Sequence, residues 1–202
     1  MKNKKVFIIE KSTELFLSYG VQHITMDDIA TKCGISKKTI YKYFENKNDL
    51  LLYIIEIQEH KIKNTLKAFP EKYSNAIISL NMFFEFINSL FNSASPIIIK
   101  ELKKYYPTIY IQLLKIKKAV ILPFISENIK QGKRENIYKK NLNEDELSKS
   151  YDTILNIIFI NYLSTNSNLD QQQAIGFLNH LFLHRLVSLK GLEILNLEHQ
   201  IN

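Results

Sequence analysis

The side chains best placed to do chemistry lie between Thr25 and Leu50. From Lys32 to Lys47 there are five lysines, at 32, 37, 38, 42 and 47, against one acid, Glu45. Tyr41 and Tyr43 are interleaved with them, and Thr25, Ser36 and Thr39 add hydroxyls. Ammonium groups mixed with fixed hydroxyl donors suit a phosphate backbone. Counterion release rewards each neutralised phosphate, while hydroxyls and helix N-termini set register. The same lysines also fit a solvated face in a chain rich in Asn, Lys and Ile. The apolar residues between them separate the two readings.

Thr25, followed three residues later by Asp28, forms a capping box, and Asp27 and Asp28 suit the positive end of a helix dipole. Ile29 and Ala30 supply a buried face, with Ala30 small enough for a second helix to cross closely. Gly34 ends that helix in the left-handed conformation without a Cβ penalty. Ser36 caps the next helix, Ile35 plugs the core, and Ile40 and Phe44 form an inward i, i+4 stripe. Lys37, Lys38, Thr39, Tyr41, Lys42 and Tyr43 are left on the other faces. Two short helices joined this way form a helix-turn-helix over residues 25–44, whose second helix lies in a major groove.

The run Thr25-x-x-x-Ile29-Ala30-x-x-x-Gly34-Ile35-Ser36-Lys37-x-Thr39-Ile40-Tyr41-x-Tyr43-Phe44-x-x-Lys47-x-x-Leu50 resembles the tetracycline-repressor (TetR) family of bacterial transcription regulators. Phe16 and Gly20 fit that family's bracing first helix. Ser12 and Cys33 stand where small alanines are common, and Lys38 where glycine often sits. The resemblance covers about a quarter of the chain. It implies an all-helical homodimer that binds double-stranded DNA at a palindromic operator and releases it when a small ligand enters the C-terminal domain. By position it implies that Lys37, Lys38 and Lys42 reach bases, and that Thr25, Ser36, Thr39, Tyr41, Tyr43 and Lys47 contact phosphates.

Other chemistry finds little support. There is no glycine-rich phosphate loop, nucleophile elbow or convincing acid pair, so neither an enzyme nor a cofactor is expected. His180 and His184, spaced i, i+4, share a helix face without a third ligand or an HExxH pattern, so interface packing is expected rather than a metal. Cys33 reads as a small core residue. A single cysteine excludes an intramolecular disulfide and fits a reducing cytoplasm. The formal charge of +7 favours a polyanionic partner. The apolar run Val6–Ile9 is broken by Glu10 and Lys11, unlike a signal peptide. Ile154–Leu163 has about half the ~20 residues a membrane span needs.

Positioning falls to an all-α scaffold of about nine helices. An N-terminal DNA-binding domain of three helices spans 1–46, and a helical regulatory and dimerisation domain spans 47–202. Expected helices run from Lys4 to Tyr19, from Lys47 to about Lys67, from a Ser74 cap to Asn92, and from proline starts at Pro96 and Pro107. Pro123 should kink the last of these near Ala119–Leu122, and Gly132 should end it. Capping boxes at Asn143/Glu146 and Asp170/Gln173 begin helices 144–162 and 171–190, with Gly191 closing the latter.

The last two helices leave almost no polar face and must be covered on two sides, most simply by a second copy of the chain. Ile158, Tyr162, Phe177, Leu181 and His184 are the expected interface. Phe83, Phe84, Phe86, Asn88, Tyr106, Tyr110 and Asn156 are candidates to line a mostly apolar effector pocket. Acids near it are sparse (Glu85 and Glu101), which favours a neutral or anionic apolar effector. The competing reading is a DNA-tethered interaction protein regulated by a protein partner.

Overall fold

The computed structural model describes residues 4–92, 97–162 and 168–201, with side chains described except at 91–92, 158–162, 168–172 and 197–201. Eleven α-helices account for nearly all of it: α1 (Lys4–Tyr19), α2 (Met26–Cys33), α3 (Lys37–Tyr41), α4 (Lys47–Lys72), α5 (Ala76–Asn92), α6 (Ile97–Tyr105), α7 (Pro107–Ile116), α8 (Leu122–Arg134), α9 (Glu144–Tyr162), α10 (Asn168–Leu186) and α11 (Leu189–Ile201). A π turn, Lys117–Ile121, joins α7 to α8. The chain forms two compact units, one from residues 1–61 and 90–116, the other from 62–89 and 117–202. The helix-turn-helix is therefore packed together with α6 and α7, which lie far from it in sequence.

Three local expectations shift for identifiable reasons. α5 starts at Ala76 because Asn75, not Ser74, supplies the cap: its Oδ1 accepts the Ile78 N–H at 3.0 Å. α4 continues past Lys67 to Lys72 and carries Pro70 within its final turn, where few downstream bonds are lost. Pro123 lacks an N–H for the carbonyl four residues earlier, and the chain widens into the π turn directly before it. That turn lies where the kink was expected. Ser95 and Pro96 fall outside the described residues.

Two glycines prove to be packing points rather than terminators. Gly132 lies inside α8, and a Cβ there would overlap the ring of Tyr138. The left-handed residue after α8 is Asn136, at φ 59°. Gly191 lies inside α11, where a Cβ would collide with the Ile137 carbonyl oxygen. α10 ends instead at Leu186 because Val187 pairs with Tyr138 in an isolated antiparallel bridge. The Ser188 N–H then donates to the Ile137 carbonyl at 2.9 Å. Asp170, expected before its helix, falls within α10 (Asn168–Leu186). Beyond Gly191 the chain is helical through Ile201.

The second unit is organised around aromatic rings. Phe83 stacks on Phe124 at 5.0 Å, Phe84 on Tyr151 at 5.8 Å, and Phe182 meets Tyr151 at 4.9 Å. Tyr138 is buried with its hydroxyl 3.2 Å from the Ala76 carbonyl and 3.1 Å from Asn128 Oδ1, donating to one at a time. Burial pushes the Tyr138 and Tyr151 phenols well above their usual range. Among the described residues, no helix is long and apolar enough to cross a membrane.

Candidate nucleic-acid interface

The reading unit is built from its caps inward. Thr25 Oγ1 accepts the Asp28 N–H at 3.2 Å, and Asp28 Oδ2 accepts the Thr25 N–H and hydroxyl, each at 2.7 Å. The Thr25 hydrogen bonds hold the Asp28 carboxyl below its usual range. Gly34 adopts φ 63°, and a Cβ there would point into open space, so conformation rather than crowding demands glycine. Ser36 Oγ accepts the Thr39 N–H at 3.2 Å and starts α3. Ile29, Ile40, Phe44 and Leu50 are fully buried, with Cys33 beside them. Burial pushes the Cys33 thiol up, consistent with an unreactive core residue.

With Ile40 and Phe44 anchored, α3 turns its lysines outward. Lys37, Lys38, Tyr41 and Lys42 are exposed together with Thr25 and Ser36, while Thr39, Tyr43 and Lys47 are half-buried. α3 is only five residues long, since Lys42 and Tyr43 enter a turn before Phe44, so the two ends of the lysine row sit on different backbone. Lys37 Nζ pairs with Asp27 Oδ2 at 2.8 Å on the surface, which raises the lysine pKa. A pair this exposed contributes little stability and opens readily to a phosphate. The ends of α2 and α3 therefore present a basic, hydroxyl-bearing strip over a rigid apolar base.

Lys47 has a second duty. Its ammonium donates to the carbonyls of Gln22 at 3.2 Å and Ile24 at 2.5 Å, and lies 5.6 Å from the Tyr106 ring centre. Desolvation lowers its pKa. The sequence gives no hint that Lys5 of α1 would lie 3.5 Å over the Tyr53 ring, or that Glu101 would be buried beside the α1–α2 loop. Glu101 is not a pocket acid: its carboxylate accepts the N–H groups of Val21 and Gln22. An available signal was that Glu101 shares the apolar face of α6 with Ile98 and Leu102.

The other sequence candidates separate. Phe83 and Phe84 lie in the second unit's ring cluster, and Phe86 packs edge-on to Phe69 at 6.2 Å. Asn156 Oδ1 accepts from Lys117, a buried ammonium also paired with Asp152 at 2.6 Å. Asn88 Oδ1 is buried without a hydrogen-bond partner. Tyr106 and Tyr110 instead pack against the core of the reading unit. On α10, Phe177, Leu181 and His184 are exposed, and the His180 and His184 Nε2 atoms are 3.0 Å apart. α10 is therefore not apolar all round: Ile175, Phe182, Leu183 and Leu186 face inward, and the exposed side mixes Phe177 and Leu181 with histidines. The side chains of Ile158 and Tyr162 lie outside those described.

Residues 8–54, spanning α1 to the start of α4, match the family model for bacterial regulatory proteins of the tetR family. That stretch, about a quarter of the chain, is a DNA-binding region of the tetR kind. It is 41% identical over 68 residues to YerO, an uncharacterised HTH-type transcriptional regulator of Bacillus subtilis, a match covering 32% of this chain and 24% of that protein. It is 29% identical over 146 residues to YvaF of the same organism, also an uncharacterised HTH-type regulator, covering 67% and 70%. The whole fold matches Bacillus subtilis FadR, a transcriptional regulator solved with stearoyl-CoA, at a TM-score of 0.67 and 19% identity over 91% of this chain and 97% of that one. The tetR family and these relatives are DNA-binding regulators rather than enzymes.

Proposed function

We propose that this chain is a cytoplasmic tetR-family repressor that binds a palindromic operator as a homodimer and leaves it when a small, mostly apolar effector enters the second unit. The observation that carries this is the division of α3 and its flanks: Ile40 and Phe44 are buried while Lys37, Lys38 and Lys42 are exposed. In this reading those three lysines reach base edges in the major groove. Thr25, Ser36, Thr39, Tyr41, Tyr43 and Lys47 hold phosphates, and Lys47 divides its ammonium between backbone and DNA. The domain division at residues 46 and 47 belongs to the same proposal.

The dimer is supported by exposed Phe177 and Leu181 on α10, large apolar groups whose solvation is unfavourable in a lone copy. A two-fold axis would also place two recognition helices on half-sites about a helical turn apart. The effector assignment draws on the aromatic content of the second unit and on the acyl ligand held by FadR. The test is selection of bound fragments from genomic DNA, by the wild type and by Leu181→Asp. The wild type should enrich an inverted repeat. Leu181→Asp should stay folded, run as a monomer and bind that repeat ~10²-fold or more weaker through lost avidity. Enrichment of a single unrepeated site, or a monomer of undiminished affinity, would contradict the proposal.

A further inference from the structure

The loop between α1 and α2 runs from Gly20, whose N–H reaches the Phe16 carbonyl at 2.9 Å, to Thr25, whose carbonyl accepts the Ile29 N–H at 3.2 Å, and it sets where α2 begins and so where α3 points. Its polar groups are met from two sides. Glu101 Oε2, on α6, accepts the N–H of Val21 at 2.5 Å and of Gln22 at 2.9 Å. Lys47 Nζ, at the start of α4, donates to the carbonyls of Gln22 and Ile24. A carboxylate thus takes the loop's donors and an ammonium its acceptors. Glu101 is only 3% exposed. Gly20 permits this approach: it holds φ 80°, and a Cβ would lie 2.7 Å from Glu101 Oε2 and 2.9 Å from Ile97 Cγ2.

A carboxylate taken out of water this completely needs compensation, and leucine would fill the same space more cheaply. The other carboxylate oxygen, Oε1, is buried with no hydrogen-bond partner, so the residue is not there to satisfy itself. What it alone supplies is reach to two adjacent backbone N–H groups, four and three residues before the Thr25 cap.

We propose that Glu101 is a positioning residue for DNA reading: through the Val21 and Gln22 N–H groups it fixes the angle at which α2 and α3 present Lys37, Lys38 and Lys42. This rests on the DNA-reading function proposed above. Glu101 touches no DNA itself. Its contribution should therefore fall on specific binding, which needs aligned side chains, and spare non-specific binding, which needs only charge.

Two substitutions separate reach from charge. Glu101→Asp keeps the charge but withdraws the carboxylate by one methylene, and Glu101→Gln keeps the reach without the charge. The full-length variants are titrated against operator and against shuffled duplex, with amide exchange followed at Val21 and Gln22. Glu101→Asp should weaken operator binding ~10-fold, equivalent to ~1.4 kcal/mol, leave shuffled-DNA binding unchanged and speed exchange at both amides. Glu101→Gln should stay within ~3-fold of wild type on operator and keep the amides protected. Should Glu101→Asp not fold, Gly20→Ala, which drives a methyl into the carboxylate, reads the same effect.

Wild-type operator affinity in Glu101→Asp despite fast exchange overturns the positioning role. So does a Glu101→Gln protein as impaired as Glu101→Asp, or equal losses on both DNAs. A wild type with no preference for any sequence defeats the regulator reading instead, and the exchange data then still report whether the grip exists.

Discussion

Within the reading unit the helix-turn-helix itself is held by short-range contacts, with a long-range tie at Glu101, whereas the centre of the second unit is held by long-range ones. In the first, Thr25 and Asp28, Ser36 and Thr39, and Asn46 and Asp49 bond across three residues. In the second, the Ala76 N–H is taken by Glu135 at 2.8 Å, and its carbonyl by Asn128 and Tyr138. Those partners are separated by 52 to 62 residues. Short-range bonds make small helices that keep their shape while other parts move. Long-range bonds make a unit in which one side chain ties several helices, so disturbance spreads. A DNA reader suits the first design, and a regulatory body suits the second.

The largest effect should come from cutting a long-range tie. Tyr138→Ala removes a buried ring that Gly132 makes room for and leaves a cavity, so a loss of about 3–5 kcal/mol in denaturant unfolding is expected. Tyr138→Phe keeps the ring and should cost only about 1 kcal/mol. If the alanine variant lost no more than the phenylalanine one, the second unit would not be tied through that ring.

The short-range side of the contrast is sharpened by smaller changes. Thr25→Ala should cost about 1 kcal/mol through loss of a helix cap. Its effect should stay within α1–α3, with amide protection in α8 and α9 unchanged. The same box gives a pH dependence. Asp28 has a folded pKa below its unfolded one, so its contribution is complete above about pH 4 and disappears as pH falls through the lower, folded value. The difference in melting temperature between wild type and Asp28→Asn should therefore be constant near neutrality and vanish in acid. A difference that grew in acid would reverse the sign.

The same contrast explains what the sequence disclosed. The ends of α1 and α2 and the starts of α2, α3, α4 and α9 were legible because their caps lie within a few residues of the helices they bound. Gly132 and Gly191 were misread as stops because the atoms that require glycine there, the Tyr138 ring and the Ile137 carbonyl, arrive from outside their helices. Ser74 lost its capping role to Asn75 within the same Ser/Asn run, a choice propensity does not resolve. Glu101 shows the limit inside the reading unit as well, since its partners lie about eighty positions away. The outward lysines were legible from Ile40 and Phe44 alone. The double commitment of Lys47 was not, because the loop it braces has no sequence pattern of its own.

The central claim is that α3 and its flanks read sequence while Lys47 and its neighbours supply charge. Its most direct test is equilibrium titration of wild type, Lys42→Ala and Lys47→Ala against the selected operator and single-base variants of it, over a range of salt. Lys42→Ala should lose about 1–3 kcal/mol of discrimination at one base pair per half-site. Lys47→Ala should weaken binding without relaxing any single base pair, make the salt slope shallower by ~1 per protomer, and add a loss from the loop its ammonium braces. Unchanged discrimination in Lys42→Ala, with a uniform loss indistinguishable from that of Lys47→Ala, would contradict the account.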